Sequence, residues 1–489
     1  MFRKYIVGLI ILFPVGVQAQ IEKGFSYTLE ANATVTGNGD HAPFWLTANR
    51  HGLSSVRQNS AYLSAGIFRQ LEQEKKFSYA FGLELAALTH FTSSHVVQQA
   101  YADVRYRCWQ LSVGSKERGS ELKNDALSIG GMTFSPNARP IPQVRLSIPE
   151  YIPFPGTHGW LHLRGHIAYG IFTDDRFQKD FTQERSKYTR HVLYHSKAAF
   201  LKLEHPNTPV TLEAGIEMAA QFGGDCCYPD GTVLTTPKGI GDFIRIFFPM
   251  RGSSDASASD QKNILGNHLG SYHFSAGYRF PEWKVRGYYE HYFDDGSGMM
   301  MKYGMWKDCL AGLEVTLPPN PVATSVVAEF LYTKHQSGAF HWYATPDVDE
   351  SYTGADNYYN NGQFVGWEHW GQGVGNPLLI APLYNTDGGL NFNSTRVKAF
   401  HLGISGKPLK EIEYRLLMSF AQHWGTYGSP YPEIKSNKNA LLELSYLPAK
   451  SKGWQFTLAV AVDGGDLIGK SQGAMFSIRK TGWLGGKKQ

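Results

Sequence analysis

Apolar and polar residues alternate with period two along most of this chain. Trp454, Phe456, Leu458, Val460 and Val462 form one face of a stretch whose other face is Gln455, Thr457, Ala459, Ala461 and Asp463. Val210, Leu212, Ala214, Ile216 and Met218 likewise oppose Thr211, Glu213, Gly215 and Glu217. Such alternation marks strands with two unlike faces. It predicts eighteen of them, over 24–36, 60–71, 76–90, 96–106, 108–116, 141–148, 158–172, 189–205, 209–221, 271–280, 283–293, 308–317, 323–335, 396–406, 411–423, 438–447, 454–463 and 472–480. Most are close to the roughly 9–11 residues that a tilted strand needs to cross a bilayer. The stretch 141–148 is flanked by Pro140, Pro142 and Pro149, which argues for an edge, a bulge or no strand.

Parity decides for keeping it. If successive strands run up and down, one set of connections is short and Pro-rich, including Glu150–Thr157, Pro206–Thr208, Pro281-Glu282, Pro318–Pro321 and Pro448–Gly453. The other set holds 37–59, 117–140, 173–188, 222–270, 294–307, 336–395, 424–437 and 464–471, with 91–95 as a short exception. Short periplasmic turns and long outer loops belong to a closed transmembrane antiparallel β-barrel. Aromatic residues beside the short turns, Tyr106 and Trp109, Tyr278, Phe280 and Trp283, Tyr446 and Trp454, suit an interfacial girdle. The expected fold class is therefore all-β, a barrel of about eighteen strands filling residues 20–489.

The N-terminus agrees. Arg3 and Lys4 precede an apolar stretch from Tyr5 to Val17, and Val17-Gln18-Ala19 reads as a small-residue cleavage site. Met1–Ala19 is expected to be a secretory signal peptide, with the mature chain placed in the outer membrane. Beyond Gly24 no apolar run reaches the length of a membrane helix. Aromatic residues make up 14% of the chain and charged ones 18%, with 52 glycines, which suits many strands, many turns and a lipid interface. The net charge of +5 falls to +3 without Arg3 and Lys4, too mild to indicate nucleic acid. Cys108, Cys226, Cys227 and Cys309 have no zinc-like spacing, and export would permit one disulfide.

Local motifs for catalysis are not evident: there is no HExxH and no GxSxG. His158, His162 and His166 recur every fourth residue, but in a strand they spread out as lumen or turn residues, so no metal site and no cofactor is expected. The polar face carries both signs, at Asp103, Arg105, Glu213, Glu217, Lys284, Arg286, Glu290, Glu314, Glu329 and Glu443, which suits a wide wet lumen better than a dry core. The 336–395 loop interleaves Trp342, Tyr358, Tyr359, Trp367 and Trp370 with Asp356, Asn357, Asn360, Asn361, Gln363 and Glu368. Aromatic faces pack on the C–H faces of sugar rings while amides and carboxylates satisfy hydroxyls, so Trp342, Asp356, Asn357, Tyr358, Tyr359, Trp367, Glu368 and Trp370 are candidate glycan ligands. The competing reading folds this loop into the lumen as a plug, and 222–270 is expected to help it form the glycan platform or the occluding cap beside it.

Several stretches, in order, resemble the Wzi family of outer-membrane capsule-assembly proteins in its Bacteroides-type branch. They are Ala42–Leu53 (APFWLTANRHGL), Ser128–Val144 (SIGGMTFSPNARPIPQV), Tyr169–Arg176 (YGIFTDDR), Ile264–Gly270 (ILGNHLG), Gly375–Leu378 (GNPL) and His401-Leu402-Gly403. The resemblance implies an eighteen-stranded barrel that binds capsular or other surface polysaccharide and supports capsule attachment, without enzymatic activity. Its partners would be that polysaccharide and the outer-membrane lipids. Enterobacterial members carry a helical bundle ahead of the barrel, whereas only Gln20–Lys23 precede the first predicted strand, leaving any plug to loops such as 117–157 or 336–395. A sugar- or ion-selective porin and an outer-membrane hydrolase are the alternatives.

Overall fold

The computed structural model describes residues 24–484 apart from 73, 258, 259, 262, 263, 295, 300–304, 319, 340, 346 and 347. The expected signal segment Met1–Ala19 lies outside the described residues. Eighteen strands form one antiparallel sheet: β1 (Phe25–Asn38), β2 (Ala61–Arg69), β3 (Phe77–Thr89), β4 (His95–Tyr106), β5 (Trp109–Ser115), β6 (Gln143–Pro153), β7 (Leu161–Ile171), β8 (Leu193–Leu203), β9 (Val210–Phe222), β10 (Asn267–Arg279), β11 (Lys284–Phe293), β12 (Cys309–Thr316), β13 (Ser325–Tyr332), β14 (Val397–Leu409), β15 (Ile412–Gly425), β16 (Pro430–Tyr446), β17 (Trp454–Gly465) and β18 (Ser471–Leu484). Each strand pairs with its sequence neighbours, and β1 closes the ring on β18 from Phe25↔Leu484 to Asn38↔Gln472. Closure leaves no unpaired edge, the condition for a sheet in lipid.

All eighteen predicted strands are present. The Pro-flanked one, β6, survives because its prolines sit where pairing fails. Pro142 precedes the strand and its carbonyl accepts from the Ile171 amide, and the register against β7 slips between Ile148 and Ile152, around Pro149. One loop differs: of 424–437, residues 430–437 continue β16 as a tall hairpin with β15, leaving only 426–429 as the turn.

The wall has the expected two faces. Leu212, Leu458, Val460 and Val462 are outward and exposed, while Thr457, Ala459, Ala461 and Asp463 are inward and buried. At the short-turn end Tyr106, Trp109, Tyr278, Trp283, Tyr446 and Trp454 are all exposed outward, and Phe280 stacks on Trp283 at 3.9 Å. This is the girdle.

Eighteen strands enclose more space than wall side chains can fill. The filling comes from the long loops. Residues 42–53, with a short helix at Phe44–Thr47, fold into the ring together with 117–142 and 356–394. Phe44, Trp45, Leu46, Leu127, Ile129, Met132, Trp367, Leu378 and Phe392 form a dry core against inward wall residues such as Leu269, Leu310, Val327, Leu417 and Leu441. The lumen is therefore plugged, and the wide wet lumen expected from the inward charges is corrected. A polar chamber of about 380 Å³ remains under the plug, lined among others by Glu30, Glu84, Arg50, Arg415 and Arg479. The four cysteines are free thiols in this structure.

Placing arginine at Val460 should cost about 2–4 kcal/mol of folding free energy in lipid vesicles, and far less at inward Gln455. Equilibrium denaturation of Val460→Arg and Gln455→Arg checks this, and equal costs would contradict the register.

Candidate functional site, an amide-rich cleft on the plug

Most of the inward charges hold the plug. Glu329 accepts from Ser128 Oγ at 2.6 Å, from the Ile129 amide at 2.8 Å and from Tyr288 Oη at 2.5 Å. Glu290 accepts from the Met132 amide and Ser271 Oγ, both at 2.8 Å, and pairs with Lys123 at 3.0 Å. Glu314 bridges Arg286 at 2.6 Å and Asn124 at 2.8 Å, and Glu443 bridges Arg50 and Arg415. Asp463 accepts from the Phe44 amide at 2.8 Å. Nearer the short turns, Asp103 pairs with Lys116 at 2.5 Å and Arg105 donates to the Glu72 carbonyl. Glu213 accepts from Ser275 and buried Glu217 lies 3.6 Å from His273, while Lys284 is on the inward face at the strand end, exposed. His166 is buried beside Ser196 and His158 sits in a turn, and among the described residues no cluster could hold a metal ion.

Four of the six stretches singled out by resemblance supply joints of this plug. His401 donates from Nε2 to the Leu127 carbonyl at 2.7 Å, and its ring meets Trp45. Asn376 Nδ2 donates to the Gly130 carbonyl at 2.8 Å, Ser135 Oγ to the Gly375 carbonyl at 2.6 Å, and Asn49 Nδ2 to the Ile129 carbonyl at 3.1 Å. Two glycines permit the contact. A Cβ on Gly403 would collide with the Leu127 carbonyl, and one on Gly375 with the Met132 carbonyl and the Tyr359 hydroxyl.

Four candidate glycan ligands belong to the same packing and are corrected. Tyr358 and Tyr359 are buried, the first donating to Asp308 at 2.7 Å and the second to the Met132 carbonyl. Trp367 is 0% exposed and donates from Nε1 to the Thr133 carbonyl at 3.0 Å. Glu368, also 0% exposed, accepts from Gln178 and the Gly371 amide. None of the four presents a face to a sugar. Trp370 is half-buried, stacked on Phe177 at 5.7 Å and under the Arg139 guanidinium at 4.3 Å. Trp342 stands on a strand, His341–Thr345, paired with Val348–Thr353, and its side chain lies outside the described residues. Asp356 is half-buried beside Ser337, and exposed Asn357 alone among the candidates reaches the cleft described next.

Above the plug, on the long-loop side, lies a cleft of about 900 Å³. Its walls are 357–362, 380–394, the β15–β16 hairpin and the turn carrying Leu467 and Ile468. Asparagines build it. Asn360 donates to Asn357 Oδ1 and to the Phe392 carbonyl, both at 2.9 Å, and accepts from the Phe392 amide. Asn385 Nδ2 donates to the carbonyls of Gly389 and Asn391, and its Oδ1 accepts from Asn393 at 3.0 Å. Tyr431 Oη donates to the Asn393 carbonyl at 3.1 Å, and Lys435 stands over the Tyr431 ring at 4.6 Å. Half-buried Tyr384, anchored through Thr47 at 3.1 Å, closes the floor, with exposed Asn391, Asn393, Thr386 and Asp387 around it. Many fixed amide groups beside a few partly exposed rings can satisfy a neutral polyol and orient it. The cleft takes Asn357 from the candidate residues and otherwise lies farther along the same 336–395 loop. The amide-rich strings Tyr384–Asp387 and Asn391–Ser394 were the available signal.

Burial, and then the neighbouring Asp174 carboxylate, raise the Glu368 pKa well above the usual carboxylate range. The folded state then keeps a proton that the unfolded chain releases near pH ~4.3. That stabilisation is complete below the unfolded value and is lost as pH rises toward the folded one. Amide-exchange protection over 364–380, corrected for intrinsic rates, should fall with rising pH, and the Glu368→Gln variant should flatten the slope.

Residues 15–376 match the model of the family described as capsule assembly protein Wzi. Among solved structures, one described as Wzi, an outer-membrane protein involved in group 1 capsule assembly in Escherichia coli and a carbohydrate-binding β-barrel, aligns with TM-score 0.56 at 12% identity, covering 94% of this chain and 85% of that one. Acinetobacter baumannii OccAB2 aligns with TM-score 0.46 at 9% identity over 95% of this chain and 98% of its own. Pseudomonas aeruginosa OprD gives 0.46 and 9% over 96% and 98%. No curated protein matches the chain in sequence.

Proposed function

The chain belongs to the capsule assembly protein Wzi family, and from that premise we propose that it binds capsular or another surface polysaccharide in the cleft above its plug, holding the capsule to the outer membrane. The observation that carries the reading is the cleft itself. It stands on the long-loop side and is wide enough for several sugar units. Asn357, Asn391, Asn393, Thr386 and Asp387 offer donors and acceptors around Tyr384 and Tyr431. The side-chain amides of Asn357, Asn360, Asn385 and Asn393 are already cross-linked, so little of their freedom is lost when a ligand docks. The fold relative from Escherichia coli is described as binding carbohydrate, and this cleft has chemistry that suits such a ligand.

The function is binding and not passage. A plugged ring holds the polymer at the surface, whereas a sugar pore would need a wet path past Trp45, Leu127, Met132 and Trp367, which are packed dry against the wall. The 223–266 loop meets the 361–363 segment through Tyr228, Ser257 and Asp260.

Each of Asn391→Ala, Asn393→Ala and Tyr431→Ala should weaken binding of the native capsular polysaccharide by about threefold to tenfold, the value of one lost hydrogen bond or ring contact. Purified variants on immobilised polysaccharide provide the measurement, with Trp367→Phe as a plug control. Unchanged affinity in all three cleft variants would reject the site.

A further inference from the structure

The longest loop outside the lumen, 223–266, turns outward over the wall. By register Met218, Ala220 and Phe222 of β9, His195 and Lys197 of β8, Tyr169 of β7 and His268 of β10 face the same way as lipid-facing Leu212, Leu201, Ile167 and Phe274. Yet Met218, Ala220, Phe222, His195 and His268 are buried, because the loop covers them. Its helix, α1 (Ile240–Phe247), packs Ile246 and Phe243 inward, and Tyr169 Oη donates to the Phe243 carbonyl at 2.8 Å. Lys197 would be a bare cation on the lipid-facing wall. It donates instead to the Phe247 carbonyl at the helix C-terminus, where the helix dipole favours positive charge.

The outer face of this helix is apolar as well. Ile240 is 88% exposed, Ile244 57% and Phe248 60%, spaced by four residues on one side, with Met250 at 50% beyond. A helix bordering water carries polar residues there, and a helix apolar on both faces belongs in an apolar surrounding. That surrounding is adjacent. Phe247 shares a groove on the outer wall with Leu146, Leu163, Ile167 and Ile216, so the exposed helix face continues the lipid belt.

We propose that residues 238–251 are a lateral membrane-docking element, with Ile240, Ile244, Phe248 and Met250 seated among the acyl chains of the outer leaflet. The helix lies along the membrane plane against one side of the ring, about 5–10 Å into the headgroup–acyl boundary. It fixes the depth and tilt of the barrel, and with them the height at which the cleft stands above the lipid. The proposal rests on the membrane setting of the barrel and not on its ligand.

Spin labels on Ile244→Cys and, as a water reference in the same loop, Asp230→Cys test it. The full chain is assembled into vesicles of phosphatidylethanolamine, phosphatidylglycerol and lipopolysaccharide, with the unsubstituted chain giving the background of the native thiols. The expected result is a several-fold higher ratio of oxygen to nickel-chelate collisions at 244 than at 230. Equal ratios would overturn the proposal. Shielding of 244 from both reagents would also overturn it, by showing a second copy in vesicles or another protein in native membranes. Should Ile244→Cys fail to assemble, Phe248→Cys gives the same readout.

Discussion

A carboxylate inside a barrel must find a donor, and this requirement organises the molecule. Glu290, Glu329 and Asp463 project from the wall into space that eighteen strands cannot fill with side chains. Left bare in a dry interior each would be costly. The chain meets both needs at once by sending loops back through the ring. The amides of Ile129, Met132 and Phe44 and the ammonium of Lys123 reach the carboxylates, while Trp45, Leu127 and Trp367 exclude water. Charge pairing sets where the plug attaches, and apolar packing keeps the attachment dry.

A fixed plug gives the outer surface a floor. Tyr384 is tied to Thr47 in one inward loop, Asn376 to Gly130 in another, and Asn360 and Phe392 exchange hydrogen bonds just above. The cleft is thus built on three loops that meet in the lumen, and it inherits their rigidity. Four of the six stretches that resemble the family, Ala42–Leu53, Ser128–Val144, Gly375–Leu378 and His401-Leu402-Gly403, lie in these joints. The family likeness therefore marks the scaffold, and the cleft residues Asn385, Asn391, Asn393 and Tyr431 lie beside it.

The barrel was legible because strands in lipid repeat every two residues and their turns obey parity. Even β6 followed, once its prolines were allowed a bulge. The loops have no such period. Trp367 and Tyr359 have the composition of a sugar platform and the burial of a core, and sequence carries the first property without the second. The inward charges were placed on the correct face, but their partners in 123–132 are separated from them by more than a hundred and fifty residues in several cases, a distance no local pattern spans. The outward turn of 223–266 was hidden for the same reason: the spacing of Ile240, Ile244 and Phe248 does not say that the opposite helix face packs on the wall.

The central claim is that polysaccharide binds on the plug's outer surface and leaves the plug in place. Amide hydrogen exchange on the detergent-purified chain, with and without its native capsular polysaccharide, tests this most directly. Binding in the cleft would give new protection over 357–362, 384–394 and 426–435, with 128–144 unchanged. Protection confined to the short-turn end, or exposure of 128–144 as the polymer enters, would contradict it.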